Sequence, residues 1–239
     1  MALRELRFTA AEIAESLGMA HSTVSAVLKR HGKGRLPRVD GDQPENRYER
    51  ARPGELVHID VKKLGRIAGV GHRITGQRRV GGSHARGPGW KFVHVCIDDC
   101  TRLAYVEVLI SERADAVCGF LERAVEWFAG HGIQVQRVMT DNGPGYRSIA
   151  HAVLCRKLGL RHLFTEPYRP RTNGKAERFI KTLTQRWAYG GVYLTNSQRR
   201  AALPGFLDHY NYRRPHRSLD RQTPIQRLAE RNNLAGTYT

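Results

Sequence analysis

The sequence is poor in acidic residues, poor in cysteine and without long apolar runs, and each shortage removes a class of protein. No stretch of its 239 residues approaches the ~20 consecutive apolar positions a membrane helix needs, so no association with a membrane is expected. The N-terminus, MALRELRFTAAEIAES, carries glutamates and no apolar core, unlike a secretory signal; a cytoplasmic protein is expected. The four cysteines, Cys96, Cys100, Cys118 and Cys155, include no CxxC pair and no histidines at zinc-finger spacing. They read as buried thiols in a reducing compartment, and structural zinc is not expected. Apolar residues nonetheless make up 40% of the chain, enough to build a core rather than remain disordered.

What is abundant is positive charge. Forty Lys and Arg against 22 Asp and Glu leave a formal charge of +18, a field suited to a polyanion. Residues 62–91 hold Lys62, Lys63, Arg66, Arg73, Arg78, Arg79, Arg86 and Lys91 with no acid between them, leaving these side chains available to phosphates. Nucleic acid is the expected partner.

Residues 9–30, TAAEIAESLGMAHSTVSAVLKR, read as two short helices about a tight turn. Thr9 and Glu12 have capping-box spacing, Ile13 and Leu17 repeat at helical spacing, and Gly18 supplies a left-handed stop. Val24, Val27 and Leu28 would form the inner face of the second helix. As a helix-turn-helix, this unit would turn Ser22, Thr23, Ser25 and Lys29 to the major groove. Residues 32–54 are rich in Gly, Pro and charge and read as a linker.

Beyond Pro53 the period changes. Val57, Ile59 and Val61 alternate with His58, Asp60 and Lys62, the signature of a strand. WKFVHVCIDD and LAYVEVLI add two more, with residues 65–89 as a Gly- and Arg-rich insertion before them. Residues 113–130 form a helix with Val117, Phe120, Leu121, Ala124 and Phe128 on one face. VQRVMT, SIAHAVLCRKLG, RHLF and a helix from about Lys175 to Trp187 follow. The order βββαβαβα gives an α/β fold, a mixed five-stranded sheet flanked by helices. The tail from 197 to 231 is helical, with a break at Arg214-Pro215.

Three acids sit where structure alone would not ask for them. Asp60 lies within a strand, where Asp is disfavoured. Asp141 closes VQRVMT ahead of an Asn-Gly turn, and Glu177 lies at the start of the helix after Thr172-Asn173-Gly174. Two strand ends and a helix start can converge on one point, although 80 residues separate the first pair. In-line displacement at a phosphodiester calls for two divalent ions about 4 Å apart. Magnesium prefers oxygen ligands, so carboxylates suit it.

VHID, MTDNGPGYRS and PYRPRTNGKAERFIKTL together resemble the DDE catalytic core of bacterial insertion-sequence transposases and retroviral integrases. Thirty-five residues lie between Asp141 and Glu177, the interval characteristic of that superfamily. YNYRRPHRSLDRQTP resembles the segment that follows the core in insertion-sequence transposases. The resemblance implies a ribonuclease-H-like fold in which Asp60, Asp141 and Glu177 are catalytic and bind two Mg²⁺ ions, with Mn²⁺ able to substitute. It further implies cleavage of the element's ends to expose 3′-hydroxyls, followed by attack of those hydroxyls on target DNA. Element ends and target DNA would be the partners, the protein would act as a homo-oligomer on DNA, and it would be nucleoid-associated when bound. The expected division is 1–35 helix-turn-helix unit, 36–52 linker, 53–190 catalytic core and 191–239 C-terminal helical extension. Relatives usually carry a longer N-terminal region, so the first unit reads as truncated.

Around the triad, Lys181 shares a helix face with Glu177 and is a candidate for phosphate contact, with Arg178 and Gln185 as weaker candidates. Gly143, Pro144 and Gly145 read as a flexible loop able to close over DNA ends. Thr172, Asn173 and Gly174 read as the turn and cap that aim Glu177. Asp98 and Asp99 read as ordinary turn residues. Arg213, Arg214, His216 and Arg217 would either meet phosphate or pack the tail. Competing readings are a non-catalytic helix-turn-helix regulator, a degenerate transposase remnant, a ribonuclease H and a viral-type integrase. The intact triad opposes the first, the Asp–Glu interval opposes the ribonuclease H, and the absence of an N-terminal His/Cys unit opposes the viral enzyme.

Overall fold

A computed structural model describes residues 1–36, 49–67, 89–165 and 173–235. The chain divides into two compact units, Met1–Tyr48 and Glu49–Thr239.

The first unit holds α1 (Ala2–Glu5), α2 (Ala10–Leu17) and α3 (His21–Arg30). The capping box forms as its spacing predicts: Glu12 N–H donates to Thr9 Oγ1, and Thr9 N–H to Glu12 Oε2. Gly18 then stops α2 with φ 61°. Ile13, Ala14, Val24 and Leu28 make the small core. Val27, expected on the inner face, is exposed, because a helix this short buries only a narrow i, i+4 stripe. Unforeseen is buried Arg4, whose guanidinium donates to the carbonyls of Phe8, Lys33 and Gly34 and so ties the unit's ends together.

The second unit is built on a five-stranded sheet ordered β3-β2-β1-β4-β5. β1 (Val57–Gly65), β2 (Trp90–Asp98) and β3 (Ala104–Leu109) form an antiparallel meander. β4 (Arg137–Thr140) and β5 (Arg161–Phe164) extend it in parallel from the other side of β1. Alternation along the strands divides the core into two layers. Val57, Ile59 and Cys96 face α4 (Ala114–Gly130), meeting Val117, Phe120, Leu121, Ala124 and Phe128, with α5 (Ile149–Lys157) beside it. Leu64, Val93, Val95 and Ile97 face the other way, onto Ala176, Phe179 and Leu183 of α6 (Gly174–Leu183) and onto Trp187 in the π-helical turn that follows.

The C-terminal segment adds α7 (Asn196–Ala201), α8 (Leu203–Asp208), a π-helical turn at His209–Arg213 and α9 (Pro224–Ala235). Its Tyr-Asn pair is structural. Tyr210 packs edge-on to Phe179 at 4.8 Å between ring centres. Buried Asn211 takes both outward backbone groups of Ala104, donating to its carbonyl at 2.9 Å and accepting from its N–H at 3.0 Å. A side-chain amide thereby satisfies the outward backbone groups of the edge strand β3 at its first residue.

Candidate active site

The register of the sheet brings the first two acids together. β1 pairs in parallel with β4, Val57 opposite Val138 and His58 opposite Met139. Asp60 and Asp141 each lie two residues beyond that last pair, near enough for the charge of Asp141 to act on Asp60. Asp60 stands opposite Val95 on β2, and therefore on the α6 side of the sheet. Glu177, in the first turn of α6, lies over that face.

Burial pushes the Asp60 carboxyl up to about 6, and the nearby charges of Asp141 and Glu177 push the same way, while the Val61 N–H donated to Asp60 Oδ1 at 2.7 Å opposes them. Asp60 is half-buried, whereas Asp141 and Glu177 are exposed. Asp141 is aimed by its turn: Gly143 N–H donates to Oδ1 at 2.9 Å. A Cβ at position 143 would lie 2.9 Å from that same oxygen, so a side chain there would displace the carboxylate.

The start of α6 is anchored by a buried cluster that short-range spacing does not reveal. Asn173 is the N-cap residue but makes no cap bond with its side chain. It turns inward instead, Oδ1 3.1 Å from His58 Nδ1 and Nδ2 donating to the Ile59 carbonyl. The other ring nitrogen of His58 meets Asp99 Oδ1 at 2.7 Å, and Lys175 donates to the same oxygen. The second oxygen of Asp99 accepts the Arg50 N–H at 2.7 Å. His58 and Asp99 are fully buried. Asp99 is thus a clamp between β2, β1 and α6 rather than an ordinary turn residue. Asp98 is equally buried; its oxygens accept from Gly54 N–H and from the N–H and hydroxyl of Thr101. Every oxygen of both is occupied, so neither faces the carboxylate cluster as a ligand.

Arg178, Lys181 and Gln185 are exposed with Glu177 along α6 and its extension. The turn after Asp141 is packed rather than loose: Gly143 O accepts from Tyr146 and Arg147, and a Cβ at Gly145 would fall 2.8 Å from the Glu112 carbonyl. Tyr146, missed in the sequence, is buried in the field of Asp60 and Asp141; desolvation first and those charges second hold its hydroxyl neutral. Of the basic run, Lys63 is not free, since it pairs with Glu112, while Lys62 is exposed. Arg73, Arg78, Arg79, Arg86 and Thr172 lie outside the described residues. In the tail, Arg214 lies against the Tyr210 ring and His216 packs edge-on to it, whereas Arg213 and Arg217 are exposed. In the first unit Ser22, Thr23 and Lys29 are exposed and Ser25 is half-buried on α3.

The integrase core domain family matches residues 50–170, and a second integrase core domain family matches residues 158–224. The chain belongs to the integrase core family. Its likeness extends to the putative transposase InsD for insertion element IS2E of Escherichia coli (strain K12), 34% identical over 95 residues, which are 39% of this chain and 43% of that protein. The first two curated relatives are matched over only a tenth of their lengths. Among solved structures, the BIV integrase catalytic core superimposes with a TM-score of 0.53 at 21% identity, covering 76% of this chain and 98% of that one. A chain of the simian T-cell lymphotropic virus intasome gives 0.61 at 18% identity, covering 94% and 72%. The mixed sheet with helices on both faces is therefore the ribonuclease-H-like fold of integrase catalytic cores, in a chain of the DDE transposase and integrase type. Among the described residues, no helix is long and apolar enough to cross a membrane.

Proposed function

We propose that this integrase core is a DNA transposase that cleaves the ends of an insertion sequence and joins the resulting 3′-hydroxyls to target DNA, with Asp60, Asp141 and Glu177 as its catalytic triad. The observation that carries the reading is the meeting of these three carboxylates where β1, β4 and α6 converge, in a chain of charge +18.

The donor set fits hard divalent cations. All three side chains offer oxygen, and the upward pressure on Asp60 from burial and from its two acidic neighbours is the strain a bound cation would relieve. The family is metal-dependent, and Mg²⁺ is the ion proposed, two per site, with Mn²⁺ as substitute. Bound there, two such ions would supply positive charge to both the attacking and the leaving oxygen of an in-line displacement.

The protein's own groups do the rest. The Gly143 N–H fixes one oxygen of the exposed Asp141. The His58–Asp99–Lys175–Asn173 cluster sets the height of α6 over the sheet and hence the reach of Glu177. Lys181 and Arg178, on the exposed side of α6, would hold phosphates flanking the scissile bond. Ser22, Thr23, Ser25 and Lys29 of α3 would read base edges in the first unit, and the domain division expected from the sequence is proposed with them. Assembly as a homo-oligomer on DNA and a place in the cytoplasm, on the nucleoid when bound, complete the reading.

The test is a strand-joining reaction with duplex oligonucleotides carrying candidate terminal repeats and a supercoiled target. Joined product should appear with Mg²⁺ or Mn²⁺ and vanish on chelation. DNA binding without any joining, across candidate ends, would favour the non-catalytic regulator or a degenerate remnant.

A further inference from the structure

Away from the triad, the fold gathers a second, chemically different set of ligands. His151 and Cys155 lie four residues apart on α5 and so share a face, and His162 reaches the same spot from β5. One ligand atom from each lies within 4.8 Å of the other two. His151 Nδ1 and Cys155 Sγ are 3.7 Å apart. Bonds of ~2.3 Å to sulfur and ~2.0 Å to nitrogen at a tetrahedral angle require a separation of about 3.6 Å, so this pair already stands at ligand spacing.

A further observation points to a ligand. At His162 the tautomer is set by its neighbour. Thr140 Oγ1 donates to the Asp141 carbonyl at 2.9 Å, so His162 Nε2, 2.8 Å from that hydroxyl, must be the donor to it. The lone pair is left on Nδ1, as in histidine ligands whose other nitrogen is held by an outer hydrogen bond.

We propose that His151, Cys155 and His162 bind one Zn²⁺ ion in a site separate from the carboxylate triad. Two imidazoles and a thiolate suit zinc and exclude magnesium. Burial lowers both histidines, His162 to about 4, so they ligate without giving up a proton. Burial also pushes the Cys155 thiol up to about 11, so binding transfers its proton to solvent: thiol and Zn²⁺ become zinc thiolate and H⁺. The ion would fasten β5 to α5 two hydrogen bonds, through Thr140, from the backbone of Asp141. No zinc-finger spacing announces this site, because its third ligand comes from a neighbouring strand.

The full chain, stripped of metal, is titrated with Co²⁺ as a spectroscopic stand-in for Zn²⁺. One Co²⁺ per chain should bind with a thiolate-to-cobalt charge-transfer band that Zn²⁺ abolishes and excess Mg²⁺ does not. Cys155→Ser and His151→Gln should lose the band, and Glu177→Gln should keep it. Zn²⁺ should also raise the melting temperature of the wild type and leave that of Cys155→Ser unchanged. No band in the wild type, a band surviving Cys155→Ser, or a band lost in Glu177→Gln overturns the proposal.

Discussion

Replacing Asp99 by Asn probes the clamp at the foot of α6. Its carboxylate is fully buried and accepts from His58, Lys175 and the Arg50 N–H. Burial alone would raise its pKa, but these donors outweigh burial and hold it at about 2, against an ordinary 3.8. That difference of nearly two units, at 1.36 kcal/mol each, amounts to about 2.4 kcal/mol of stability. Because the folded value lies below the unfolded one, this contribution is complete above about pH 4 and is lost as the pH falls through 2; about 1 kcal/mol of it is gone by pH 3. Asp99→Asn removes the titration altogether and breaks the buried ion pair with Lys175, a loss of about 3 kcal/mol near neutrality. Urea unfolding of both proteins from pH 6 to pH 3 reads the gap directly. It should narrow by about 1 kcal/mol over that range. A gap that stays constant would show that the clamp is not ionic.

Three more substitutions test other parts of the structure. Gly143→Ala places a Cβ 2.9 Å from Asp141 Oδ1, so strand joining should fall at least about tenfold, the effect of ~1.4 kcal/mol on a barrier, while the melting temperature barely moves; unchanged joining would mean that the Asp141 turn need not hold its shape. Asn211→Ala strips both outward backbone groups of Ala104 of their partner and should cost about 2–3 kcal/mol in urea unfolding; a cost under ~0.5 kcal/mol would show that this edge needs no cover. Lys181→Ala should weaken DNA binding and reduce the slope of log affinity against log salt by about 0.9, as expected when one phosphate fewer is neutralised; an unaltered slope removes Lys181 from the DNA footprint.

The sheet is legible in the sequence because its strands repeat at period two and its helices at 3.6, and these periods survive any tertiary arrangement. The triad residues are legible for a different reason: Asp within a strand and acids at element ends contradict local propensity. What stays hidden depends on distant partners. His58 and Asp99 are 41 residues apart and His58 and Asn173 are 115 apart, so no local spacing marks the clamp. Asn173 has the position of a cap, and only the neighbouring strand shows that its side chain turns inward. Cys155 reads as inert because its ligand partners sit on a helix face and on another strand. Val27 departs from expectation for the opposite reason: helical periodicity extends over a face wider than two short helices can bury.

Whether Asp60, Asp141 and Glu177 act as one catalytic unit is decided by measuring strand joining and DNA binding in the same reactions for Asp60→Asn, Asp141→Asn and Glu177→Gln. Each variant should bind DNA with wild-type affinity and salt dependence, and each should lose joined product in both Mg²⁺ and Mn²⁺. Wild-type joining by any one of the three would contradict the triad.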